Sequence, residues 1–69
     1  MIKVLTFNKL SGKSEMLCID SEAQDKYQIM DAIRRLVSDD SLECKMEKNV
    51  ESHEMKYFES EYWIIVATK

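Results

Sequence analysis

Sixty-nine residues and a mass of 8.1 kDa predict one small domain and exclude a second core, a membrane span and a large cofactor fold. With 45% hydrophobic and 33% charged residues, one glycine and no proline, the chain reads as a folded globular domain and not as a disordered tail. A net charge of −3 is ordinary for a soluble protein, so it neither marks a nucleic-acid binder nor establishes an acidic mimic.

Met1 to Asn8 predicts a strand, because Ile2, Val4, Leu5, Thr6 and Phe7 follow one another without a breaker. Leu10-Ser11-Gly12-Lys13 holds the only glycine, which accepts a positive φ freely, and predicts a hairpin turn into a second strand from Glu15 to Asp20. There Leu17 and Ile19 share one face, Met16 and Cys18 the other. The period then changes. Ile29, Met30, Ile33, Leu36 and Val37 recur at three and four residues and predict the apolar stripe of a helix. Two capping boxes compete at its start, Ser21 with Gln24 and Asp25 with Gln28, and Lys26 on the stripe of a longer helix favours Asp25. Ser38-Asp39-Asp40-Ser41 stops the helix.

Leu42, Cys44 and Met46 alternate with Glu43, Lys45 and Glu47, the pattern of a half-buried, peripheral strand. Residues 51–60 fit a hairpin arm or a short helical turn equally well. Tyr62-Trp63-Ile64-Ile65-Val66-Ala67 is apolar on both parities and reads as a central strand. The expected fold is therefore α+β, in the order ββαββ, with about four strands and one helix on one face. The order, the length and the Leu10–Lys13 turn resemble the ubiquitin-like β-grasp over residues 1–37, which implies that the first and last strands lie side by side in the centre. Ala67-Thr68-Lys69 lacks the Gly-Gly tail that the carrier activities of that family need. An antiparallel sheet with one covering helix is the alternative arrangement.

Charge is spread unevenly. Residues 1–19 carry Lys3, Lys9 and Lys13 against Glu15, whereas residues 20–44 carry Asp20, Glu22, Asp25, Asp31, Asp39, Asp40 and Glu43 against Lys26, Arg34 and Arg35. No face gathers the lysines and arginines that release counterions from nucleic acid, which disfavours that partner. No apolar run approaches a membrane span, and the start lacks a secretory pattern, so a cytoplasmic home is expected. Cys18 and Cys44 form no metal or redox spacing and read as reduced core residues.

No constellation points to catalysis. His53, the only histidine, sits in the polar segment Glu51-Ser52-His53-Glu54 and reads as a solvated loop residue. Zinc would need close ligand spacings, and Asp39-Asp40 lacks a calcium-loop pattern. A single glycine allows no phosphate loop. We therefore expect no enzyme, no cofactor and no metal. The five methionines fit an adaptable binding surface or core filler, with Met30 and Met46 at filler positions.

Counting faces points to binding. One helix covers one side of a sheet. If it covers Ile2, Val4, Ile64 and Val66, then Leu5, Phe7, Trp63 and Ile65 meet water, with Tyr57, Phe58, Glu59 and Glu61 as a rim. Such a patch marks a non-enzymatic protein-binding module, an inhibitor or regulator of a larger cytoplasmic protein. Its profile is similar in type to small phage-encoded inhibitors of host defence or host enzymes. A homodimer that buries the open face is the alternative, and a small nucleic-acid binder using Lys3, Lys9, Lys13 and the aromatics is the third reading.

Overall fold

The computed structural model describes residues 1–20, 26–51 and 53–68. Strand β1 (Ile2–Asn8) turns back into β2 (Ser14–Ile19); helix α1 (Lys26–Val37) follows, and then β3 (Glu43–Val50), β4 (His53–Glu59) and β5 (Trp63–Thr68). The five strands form one sheet in the order β2-β1-β5-β4-β3, with every neighbouring pair antiparallel. The first and last strands do lie side by side, but the sheet is the antiparallel alternative to the β-grasp. Residues 53–59 are a hairpin arm, which makes the sheet one strand larger than expected. The competing caps at Ser21 and Asp25 lie outside the described residues.

The β1–β2 turn forms as its residues dictate. Asn8 Oδ1 accepts the amides of Leu10 (2.9 Å) and Ser11 (3.1 Å), and Gly12 takes a φ of 73°, an angle that penalises any side chain with a Cβ. Gly12 N then donates to Asn8 O at 2.8 Å and Asn8 N to Lys13 O at 2.9 Å, closing the hairpin.

Because β2 and β3 are opposite edges of the sheet, α1 carries the chain across one whole face. It buries Ile29 and Ile33 and packs Met30 and Val37 against the same cluster. Leu36, expected on that stripe, is 44% exposed. Beneath the helix lie Ile2, Val4, Leu42, Phe58, Ile65 and Ala67, all buried. Thr6 is buried among them and its hydroxyl donates to Glu15 O at 3.4 Å, as a buried polar group requires. Arg34 holds the helix exit in place, donating from Nε (3.2 Å) and Nη2 (2.7 Å) to Leu42 O.

The helix ends on a left-handed residue. Ser38 has a φ of 56°, and Asp39 N donates to Arg34 O at 3.1 Å, the six-to-one bond of a Schellman cap. Asp39 then ties two turns together: its carboxylate accepts Ser41 N at 2.9 Å and the Ser60 hydroxyl at 2.7 Å. The Ser60 oxygen in turn accepts the amides of Tyr62 (3.2 Å) and Trp63 (3.1 Å), fixing the β4–β5 turn.

Candidate docking face

The face opposite α1 is where the expected site residues divide. Register decides which side each residue takes, because residues directly opposite on paired strands point the same way. Leu5 lies opposite Met16 on β2 and Val66 on β5. Val66 lies opposite Tyr57, and Tyr57 opposite Met46. Met16, Leu5, Val66, Tyr57 and Met46 thus form one apolar row across all five strands on the open face. Met16 is 66%, Leu5 42% and Met46 57% exposed; Val66 and Tyr57 are half-buried.

The flanking rows differ from each other. Toward one end, Phe7 lies opposite Ile64, Ile64 opposite Glu59, and Glu59 opposite Glu43. Toward the other, Cys18 lies opposite Lys3, Lys3 opposite Thr68, Thr68 opposite Met55, and Met55 opposite Lys48. Between β3, β4 and β5 the surface dips into a depression of about 140 Å³ lined by Met46, Met55, Tyr57 and Val66 together with Lys48 and Lys56.

Leu5, Phe7, Tyr57 and Glu59 stand on this face, with Tyr57 central and not at a rim. Glu61 is exposed in the β4–β5 turn. Trp63, Ile65 and Phe58 are on the other side: Ile65 and Phe58 are fully buried, and Trp63 packs against the core. The parity expected for the last strand is therefore reversed. Val4 meets Ala67 and Thr6 meets Ile65, which places the odd-numbered residues of β5 under the helix and presents Ile64 and Val66 beside Leu5 and Phe7. A strand apolar on both parities carries no alternation from which its phase can be read.

Met46 moves for a different reason. The register shifts between Cys44 and Met46, and a bulge at that point reverses the alternation that groups the two residues on one face. Cys44 stays packed against the core while Met46 opens to solvent. Cys18 is exposed and not a core residue; both thiols are free, and their strands are opposite edges.

Electrostatics at the Glu59 end are internally compensated. Lys9 Nζ donates to Glu59 Oε2 at 2.6 Å and to Ser60 O at 2.8 Å, and the Tyr57 hydroxyl donates to Glu59 Oε1 at 3.2 Å. The Lys9 bond holds the Glu59 carboxyl below its ordinary range, with Tyr57 adding to the effect. Desolvation, followed by the Glu59 charge, pushes the Tyr57 hydroxyl up. Lys45 pairs with Glu43 at 3.0 Å, lowering the Glu43 carboxyl and raising its own ammonium. Among the described residues, Lys3 and Lys48 at the other end of the face make no side-chain ion pair.

Among the described residues, no group of three or more His, Cys, Asp or Glu side chains is placed to hold a metal ion, and no helix is long and apolar enough to cross a membrane. His53 is exposed at the start of β4. It borders a depression of about 400 Å³ that Met1, Lys3, Val50, Glu51, Met55 and Thr68 also line. Compared with protein-family models, curated proteins and solved structures, the chain matches none.

Proposed function

We propose that this chain is a non-enzymatic protein-binding module that docks through the open face of its sheet. The observation that carries this reading is the row Met16, Leu5, Val66, Tyr57 and Met46, spanning the sheet with no described element over it. An uncovered apolar patch costs solubility and is the usual mark of an interaction surface. Three of the five methionines, Met16, Met46 and Met55, belong to this face, and their unbranched thioether chains conform to a partner's relief. Tyr57 adds a large aromatic with a polar tip, the kind of side chain that dominates binding hot spots.

With so small a body beyond that surface, its action is to inhibit or regulate the larger protein it covers, in the manner of small phage-encoded inhibitors. A cytoplasmic setting suits two free thiols held at opposite edges of the sheet. The test is capture with the tagged chain beside its Leu5→Lys and Val66→Lys variants. Proteins retained by the parent and lost from both variants support the reading. Retention of the same proteins by folded variants contradicts it.

A further inference from the structure

The open face carries a pattern that fits a second copy of itself, and we infer that the free chain is a homodimer packed open face to open face about a two-fold axis running across the strands. This inference rests on the docking face proposed above and names its occupant in the absence of another partner. Two in-plane axes can stack the faces.

An axis along the strands gathers Lys3 and Lys48 of both copies at one end, none of them in an ion pair among the described residues, and Glu43 and Glu59 of both, paired with Lys45 and Lys9, at the other. An axis across the strands, along the row of Met16, Leu5, Val66, Tyr57 and Met46, superposes each strand on its own copy with ends exchanged. Lys48, near one end of β3, then faces Glu43 of the second copy near the other, and the contact occurs twice by symmetry. Lys3 faces the ring of Phe7, a cation above an aromatic. Only the second axis separates the unpaired lysines of the two copies and sets Lys48 against a carboxylate, and like charges gathered across an interface are what suppress the first arrangement. Lys48 has no ion pair within its own chain among the described residues, and the Glu43 carboxylate, held by the exposed Lys45 at 3.0 Å, is shared between Lys45 and the incoming Lys48.

The area is adequate. Five strands at a spacing of about 4.8 Å, with three rows of outward side chains about 6.8 Å apart, present roughly 500 Å² in projection. Over both copies that is about 1,000 Å², the lower bound for a specific interface. Face-to-face packing of two sheets with about 30° between strand directions is a common architecture. A dimer so built buries the same residues that a larger protein would use, so the two associations compete.

Sedimentation equilibrium on the parent chain, Leu5→Lys, Lys48→Glu, Glu43→Lys and the Lys48→Glu/Glu43→Lys pair tests this. The parent should have twice the 8.1 kDa chain mass at tens of micromolar and dissociate on dilution, and Leu5→Lys should be monomeric with an unchanged circular dichroism spectrum. Lys48→Glu, on an exposed edge strand, should weaken the dimer about tenfold or more, and the charge-exchanged pair should recover most of that loss. A parent monomeric at millimolar concentration, a dimer untouched by Leu5→Lys, or an exchanged pair no tighter than its single variants would overturn the inference. A monomeric parent that still captures proteins through Leu5 and Val66 overturns the dimer alone. Loss of both behaviours overturns the docking face as well.

Discussion

Ser60 and Asp39 hold together two turns that sequence proximity does not join. The Ser60 hydroxyl donates to Asp39 and accepts the amides of Tyr62 and Trp63, so Ser60→Ala removes three hydrogen bonds where one turn enters β5. The expected loss is about 1–2 kcal/mol in a urea melt; a loss under about 0.3 kcal/mol would show that water replaces the hydroxyl. Asp39 is held below the ordinary aspartate value of 3.8, first by the Ser41 hydroxyl and then by Ser60, and Glu59 below the ordinary 4.5, first by Lys9. For both, the folded value lies under the unfolded one. Their stabilising contribution is therefore complete above the ordinary carboxylate range and is lost as pH falls through the lowered folded values. The urea midpoint should fall on acidification below about pH 4.5, and less so in a Ser60→Ala background. Tyr57 works in the opposite sense. Its folded value is raised, so its contribution is complete below the ordinary 10.0 and fades as pH rises through the folded value.

At the scale of the element, α1 offers two contrasts. Ile33 is fully buried, whereas Leu36, one turn on, is 44% exposed. Ile33→Ala should cost roughly 2–5 kcal/mol because it leaves a cavity under the helix, and Leu36→Ala should cost less than about 0.5 kcal/mol. Equal losses in denaturant melts would mean that the helix presents a different stripe. Ser38 holds a left-handed φ at the position where glycine is favoured, so Ser38→Gly should raise stability by up to about 1 kcal/mol; a decrease would show that the serine side chain has a role the cap does not explain. The sequence made α1 and the Gly12 turn legible, because helical spacing and a lone glycine are local signals; strand alternation set Ile2 and Val4 against Leu5 and Phe7, but with apolar residues on both sides of β1 it did not say which side the helix covers. The phase of β5 was not legible, since Trp63, Ile64, Ile65 and Val66 are all apolar and only pairing with β1 chooses among them. Met46 was hidden by the bulge at Lys45, a feature that no residue type there announces. The arm His53–Glu59 was undecided because Met55, Tyr57 and Phe58 satisfy a strand or a helical turn, and the free edge of β5 next to it settles the choice.

For the whole molecule, the arithmetic of faces governs what the protein can do. Among the described residues, one helix covers one side of the five-stranded sheet and leaves the other side open. A domain of this size buries only about 60% of the surface its unfolded chain exposes, so covering the open face also stabilises the fold by mass action. The exposed outer side of α1, with Tyr27, Arg35 and Leu36, is the rival surface, and it carries an aromatic residue and a charge of its own. The most direct measurement is hydroxyl-radical footprinting, read residue by residue by mass spectrometry, of the chain when dilute and when associated with its partner or with itself. Protection of Met16, Met46 and Tyr57 together, with Tyr27 and Leu36 unchanged, is the result the open face predicts. Protection of Tyr27 and Leu36, with those three residues as reactive as in the dilute chain, would contradict it.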